Sequence, residues 1–217
     1  MQKELYYTTD NIDTVAAQYC AELAEPSAKH HYKLNKNHVA LLVIDMQGFF
    51  ISPQSHAFIP SAATIIPKIK LLQNTFLQLN MPVFQTQHIN DQNNGANMLK
   101  WWNSLITEKE PLRMITPELI NPNISVINKT QYDAFFETEL EKILRQKKIT
   151  QLVITGIMTH LCCETTARSA FVRGFENFFV VDGTATYNST LHRAALINLA
   201  HGFAVPTLSS KLLKDLT

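Results

Sequence analysis

The run Val153-Ile154-Thr155-Gly156-Ile157-Met158-Thr159-His160-Leu161-Cys162-Cys163-Glu164-Thr165-Thr166-Ala167-Arg168 reads as a buried strand, a tight glycine turn and a helix with a cysteine in its first turn. That order suits acyl transfer. A helix N-terminus presents free N–H groups and the positive end of the dipole. A thiol held there has its thiolate, the nucleophilic form, favoured. The same N–H groups can receive the negative charge that develops on a carbonyl under attack. One turn can therefore supply both nucleophile and oxyanion hole. The plainer reading is that Cys162 and Cys163 are two small buried apolar residues.

Ligands of open α/β sheets bind outside the carboxyl ends of the strands. Several chemically competent residues follow strand-like runs here. Asp45 ends the first, Gln87 and His88 follow the second, Lys129 ends the third, and Asp182 follows the fifth. Each has a modest alternative: Asp45 as a cap of the next helical turn, Lys129 as a solvated loop lysine, Asp182 before Gly183 as a turn residue. The combination says more. A carboxylate beside a thiol can take its proton, and a nearby ammonium lowers the pKa of both.

The elements that must carry these residues alternate. Val39-Ala40-Leu41-Leu42-Val43-Ile44 is a continuous apolar run, as expected of a strand buried on both faces. Helical spacing follows over about 61–79, then a strand at 82–86 and another at 125–128. A helix is expected over about 133–147, a strand at 151–155, and the Cys-bearing helix to about Arg173. A strand at 177–181, a helix over about 189–201 and a short edge strand at 203–207 containing Pro206 complete the pattern. This predicts an α/β fold: three α/β/α layers around a mainly parallel, Rossmann-like sheet of about six strands. Residues 88–124 are long for a connection and carry Trp101 and Trp102, which suggests a lid or pocket wall, or simply an anchored loop. Residues 1–37 form an arm, with a helix over about 11–24 capped by Thr9 or Asp10 and ended by Glu25-Pro26-Ser27. Residues 38–217 form the main domain.

Composition excludes several classes. The 217 residues are 46% hydrophobic and 17% charged with net charge +1, which argues against nucleic acid or an anionic membrane as partner. No apolar run approaches the ~20 residues of a membrane span, and the N-terminus lacks an apolar signal core. Three cysteines, two of them adjacent, imply no disulfide framework, so a cytoplasmic setting is expected.

Three separate motifs in order make the chain resemble the isochorismatase-like cysteine hydrolases over about residues 38–213. They are Ala40-Leu41-Leu42-Val43-Ile44-Asp45-Met46-Gln47, the strand-ending Lys129, and Thr155-Gly156-Ile157-Met158-Thr159-His160-Leu161-Cys162. Thr166-Ala167-Arg168-Ser169-Ala170 and Val180-Val181-Asp182-Gly183-Thr184-Ala185 also fit. The resemblance implies an Asp45–Lys129–Cys162 triad, a cis peptide at Ile157–Met158, and oxyanion donors at the backbone N–H groups of Met158 and Cys162. It makes Cys163 the packing residue, and it implies a homo-oligomer. Pocket walls are expected from Phe49, Phe50, His88, Trp101, Trp102, Tyr132, Phe135 and His160.

Nicotinamidase-type members carry an Asp-x-His metal motif after the second strand. Here that stretch reads Thr86-Gln87-His88 without the Asp, which argues against a bound metal and against nicotinamidase activity; no cofactor is expected. The reading is a hydrolase that cleaves a C–N bond of a small amide or carbamoyl substrate through a Cys162 thioester. The alternatives are hydrolysis of the isochorismate vinyl ether, with Asp45 as acid and Cys162 a bystander, and a catalytically silent binding subunit.

Overall fold

The computed structural model describes residues 2–24 and 32–216. Six strands form one parallel sheet: β1 (Val39–Ile44), β2 (Val83–His88), β3 (Ser125–Lys129), β4 (Gln151–Ile157), β5 (Glu176–Ala185) and β6 (Val205–Thr207). Their order is β3-β2-β1-β4-β5-β6. The chain works outward from β1 to β3, then crosses to β4 and works outward again. Right-handed crossovers place the connections of the two halves on opposite faces. The helix Ala62–Gln78 packs with Ser209–Leu216 on one face, and Glu164–Val172 packs with Ser189–Gly202 on the other. This is the three-layer α/β/α architecture expected from the alternation. Among the described residues the α-helices are α1 (Ile12–Glu22), α2 (Gly48–Ile51), α3 (Ala62–Gln78), α4 (Ala96–Trp102), α5 (Leu140–Gln146), α6 (Glu164–Val172), α7 (Ser189–Gly202) and α8 (Ser209–Leu216). The C-terminal helix α8 has no counterpart in the sequence reading.

Strands β1 and β4 are buried along their whole length, as their unbroken apolar runs require. They lie side by side, with Ile44 opposite Gly156. The point where strand order reverses therefore falls between them, where such folds bind ligands.

Four local expectations are corrected. Gly156 is inside β4 rather than in a turn; its φ is +114° and an added Cβ would sit 2.1 Å from the Ile44 carbonyl oxygen. Asp182 lies in β5, and its carboxylate accepts hydrogen bonds from the Ser209 N–H (2.7 Å) and hydroxyl (2.5 Å), so it caps α8. The helix expected over 133–147 is shortened to α5. The Asp133 carboxylate instead accepts from Ser169 Oγ (2.6 Å) and Ala134 N–H donates to Thr166 Oγ1 (3.1 Å), which stitches that stretch to α6. The cap of α1 is Asn11 rather than Thr9 or Asp10. The expected helix stop at Glu25-Pro26-Ser27 lies outside the described residues.

The N-terminal segment packs on its own chain. Tyr6, Tyr7, Ile12, Ala16 and Leu23 join the same core as the sheet. Ion pairs Asp13–Lys68 (2.5 Å) and Glu22–Arg193 (2.7 Å) fix α1 to α3 and α7.

Candidate active site

Asp45 follows the last residue of β1, with φ +48°. The following helix α2 takes Gln47 as its N-cap, without a side-chain bond, so Asp45 is not a helix cap. Its carboxylate turns inward. Oδ1 accepts from Thr86 Oγ1 at 2.7 Å, and Thr86 Oγ1 in turn accepts the Asp45 N–H at 3.1 Å. Oδ2 stands 2.8 Å from Lys129 Nζ, and both side chains are wholly buried. Beyond that ion pair, Oδ2 takes no hydrogen bond.

Lys129 is the last residue of β3, two strands away. Its long stem crosses above β2 to reach the switch point, so it is not the solvated lysine that its loop-edge position allowed. Nζ donates to the Gln131 carbonyl (2.7 Å) and to Cys162 Sγ (3.4 Å). Burial of the ammonium opposes its charge, but the Asp45 carboxylate and the Cys162 sulfur outweigh this, and its pKa is raised. Lys129 is therefore an ammonium.

Cys162 comes from a π-helical turn, Thr159–Cys163, that precedes α6. The turn begins after a cis peptide at Ile157–Met158. The N–H groups flanking Cys162, those of Leu161 and Cys163, both donate to the Met158 carbonyl, at 3.1 and 3.2 Å. This wraps the chain around the Met158–Cys162 backbone. Cys163 points away, its Sγ 4.0 Å from the Thr155 carbonyl. The expectation of a favoured thiolate is overturned for the resting site. Burial pushes the Cys162 thiol up to about 12; Lys129 pulls it down and Asp45 pushes it up. The resting thiol is neutral, beside the Asp45 carboxylate. Activation then requires proton transfer to Asp45 rather than a standing thiolate.

A cavity of about 100 Å³ opens onto Cys162. At ~10–15 Å³ per water-sized sphere, it has room for several such spheres side by side. Phe49, Phe50, His88, Trp102 and Tyr132 line it, together with Met158 and Cys162. Three expected wall residues stand elsewhere. Trp101 is 77% exposed, because successive residues of α4 diverge by about 100° and only Trp102 faces inward. Phe135 stacks on Phe175, carried there by the Asp133–Ser169 tie. His160 Nδ1 pairs with Thr186 Oγ1 at 2.7 Å, and its ring is not part of the wall. Sequence reasoning missed Met98, Leu105 and Ile106 from the 88–124 segment, and His56 and Tyr187 from two other loops. The length of that segment and its two tryptophans hinted that it forms a wall; Trp102 Nε1 fixes it by donating to Tyr132 Oη at 2.7 Å.

The position of the Asp-x-His motif does not fit a metal ion. Thr86 is spent on Asp45, and Gln87 Nε2 donates to the Arg113 carbonyl (3.1 Å). His88 is engaged at both ring nitrogens: Nε2 with Asn90 Oδ1 at 2.6 Å and Nδ1 with Lys129 Nζ at 3.4 Å. Burial, then the Lys129 charge, pushes its pKa down to about 4, so the ring is neutral. Among the described residues, no cluster of three or more His, Cys, Asp or Glu side chains is arranged to hold a metal ion.

Comparison with known proteins adds four findings. The model of the Isochorismatase domain matches residues 39–211. Nicotinamidase 3 of Arabidopsis thaliana is 36% identical over 188 residues, spanning 84% of this chain and 90% of the relative. The Isochorismatase of Bacillus subtilis is 31% identical over 200 residues, spanning 88% of this chain but 62% of the relative. The chain thus spans about three-fifths of that protein. Among solved structures, a cysteine hydrolase from Pseudomonas syringae pv. phaseolicola superposes with a TM-score of 0.83 at 21% identity, over 86% of this chain and 95% of that one, a likeness of fold. The sequence expectation against nicotinamidase activity stands opposite a relative that bears that name.

Proposed function

The chain belongs to the isochorismatase family of hydrolases, and from that premise we propose that it is a cysteine amidohydrolase acting on a small, largely apolar amide. The observation that carries this reading is the buried convergence of three side chains at the carboxyl side of β1, β3 and β4: Asp45 Oδ2 at 2.8 Å and Cys162 Sγ at 3.4 Å from one Lys129 ammonium.

In the proposed reaction, Asp45 Oδ2 takes the Cys162 proton as Sγ attacks the amide carbonyl carbon. The oxyanion is received by the backbone N–H groups of Met158 and Cys162. The C–N bond breaks, and Asp45 returns the proton to the leaving amine, giving a Cys162 thioester. Water, deprotonated by Asp45, attacks the thioester; the acid leaves and Sγ regains its proton. Lys129 holds Asp45 ionised and in place. His88 and Asn90 form a polar corner in a wall whose apolar part includes Phe49, Phe50, Trp102, Leu105 and Ile106. That lining suits an uncharged planar amide, and the relative named Nicotinamidase 3 makes nicotinamide the first substrate to try.

A panel of nicotinamide, small carbamoyl compounds and isochorismate, run against wild type and Cys162→Ala, tests the proposal. Amide turnover that disappears in the variant supports it. Turnover of isochorismate alone, unchanged in Cys162→Ala, favours the vinyl-ether reaction; no turnover of any member favours a silent binding subunit. The proposal extends to a homo-oligomer in a reducing, cytoplasmic setting. Free, unpaired Cys20, Cys162 and Cys163 suit that setting. No helix among the described residues is long and apolar enough to cross a membrane. Light scattering that returns the 24.6 kDa of one chain would overturn the oligomer.

A further inference from the structure

The N-terminal segment is bonded into the back of the turn that carries Cys162, and the junction is His192 of α7. His192 is fully buried. Its Nε2 lies 3.1 Å from Tyr7 Oη. Its Nδ1 lies 2.9 Å from Thr159 Oγ1 and 3.2 Å from Tyr6 Oη. Tyr7 Oη has one proton and donates it to the Val181 carbonyl at 3.2 Å. Toward His192 it can therefore only accept, so Nε2 carries the ring proton and Nδ1 is a bare acceptor. Burial keeps the ring neutral. Nδ1 is then left to receive the Thr159 hydroxyl, with the Tyr6 hydroxyl as the longer second donor.

Tyr6 has a second route to the same turn. Its Oη accepts the Thr186 N–H at 3.0 Å, and Thr186 Oγ1 pairs with His160 Nδ1 at 2.7 Å. Thr159 and His160, successive residues of the π-helical turn, thus both end on bond chains that start at Tyr6 Oη. The segment itself is pinned: the N–H groups of Tyr6 and Tyr7 both donate to Ser61 Oγ at 3.1 Å. The Tyr6, Tyr7, Thr159 and Thr186 hydroxyls and both His192 ring nitrogens are buried and paired, and such a network favours one arrangement of the groups attached to it.

We propose that Tyr6 and Tyr7 are positioning residues for the Cys162 turn, acting through His192–Thr159 and Thr186–His160. The inference rests on the assignment of Cys162 and the Met158 amide to the reaction. Met158 directly precedes Thr159, so the tie sets the direction of the proposed oxyanion donor, whose value depends on alignment. Neither tyrosine lines the cavity, so the effect should fall on kcat and spare KM.

The test has two arms. The first needs no turnover: a long-range proton–nitrogen spectrum of His192 in the wild-type protein near neutral pH. The expected form is the neutral Nε2–H tautomer, moving toward Nδ1–H in Tyr7→Phe, where the acceptor for Nε2–H is gone. A wild-type Nδ1–H tautomer or a charged ring overturns the inference. The second arm measures kcat and KM for nicotinamide in Tyr6→Phe and Tyr7→Phe, with urea midpoints as the fold control. A kcat lowered about three- to tenfold, with KM within about twofold, is the expected result for loss of one aligning hydrogen bond. Folded variants with wild-type kcat, or with only KM changed, overturn it. If the wild-type enzyme does not turn over nicotinamide, the proposed function fails in its nicotinamide form, and the tautomer still decides the positioning role.

Discussion

Removing the charge of Lys129 should expose how the triad is paid for. In Lys129→Met, the side-chain volume is largely kept, but the Asp45 carboxylate loses the cation 2.8 Å from Oδ2 in a site with no solvent access. Oδ2 has no other hydrogen bond, and only Thr86 Oγ1 remains on Oδ1. Stripping one partner from a buried ion pair typically costs about 3–5 kcal/mol. The carboxyl has an escape, because it can take up a proton. Relative to a carboxyl in the unfolded chain, ordinarily near ~4, keeping the group protonated near pH 7 costs about three pH units at ~1.4 kcal/mol each, which caps the loss near ~4 kcal/mol. The cost should therefore shrink by up to ~1.4 kcal/mol for each unit the pH is lowered, so the variant gains on wild type in mild acid. In a chain of this size ~4 kcal/mol corresponds to a Tm lower by roughly 8–16 °C. Asp45→Asn should also destabilise, and the double variant Asp45→Asn/Lys129→Met should recover much of the loss, since no charge is then left unpaired. Urea unfolding of all four proteins between about pH 5 and about pH 8 measures this. A Lys129→Met cost under ~1 kcal/mol that is flat with pH, or a double variant showing the sum of the single losses, would refute the buried ion pair.

Other expectations follow from the same geometry. Asp45→Asn and Cys162→Ala should each abolish amide turnover, and their double variant should be no worse than either, as measured by kcat/KM. Cys163→Ala, which removes a buried sulfur facing Thr155, should cost about 1 kcal/mol in urea unfolding and leave the rate nearly unchanged. Trp102→Ala should raise KM severalfold while Trp101→Ala leaves it alone, and steady-state kinetics that reverse the two would contradict the wall assignment. Burial holds the buried His88 and His192 neutral, with pKa values pushed down from 6.5 to about 4 and about 3. The unfolded chain takes up these protons first as pH falls, so their stabilisation is complete above about pH 6.5 and is lost below it. Near pH 5 the loss should approach ~2 kcal/mol for each ring, visible as a steep acid limb in thermal unfolding. Gly156→Ala should yield no folded protein, since its Cβ would meet the Ile44 carbonyl at 2.1 Å.

The parallel sheet was legible because buried strands such as Val39–Ile44 announce themselves as unbroken apolar runs between helical repeats. That Asp45 and Cys162 each follow a strand was legible for the same reason, but not that the two strands adjoin at the switch point. Distances were not. That Lys129 reaches across β2 depends on strand order, which no local pattern encodes. The protonation of Cys162 was misjudged because a helix-terminus argument counts the dipole and ignores burial, which dominates here. The fate of 133–139 turned on Asp133 finding Ser169 in another helix, a tertiary bond that overrides a helical pattern. Tyr6 and Tyr7 looked like an appended arm; only the fold reveals His192 between them and Thr159.

The central claim is a covalent acyl-enzyme on Cys162. Its most direct test is rapid acid quench of the wild-type protein during turnover of an amide substrate, followed by peptide mapping by mass spectrometry. The expected result is the acyl mass on the peptide that carries Cys162, formed within one turnover, decaying with substrate depletion and absent from an inactive Cys162→Ala variant. Turnover that leaves Cys162 unmodified, together with a Cys162→Ala variant active within about tenfold of wild type, would contradict it.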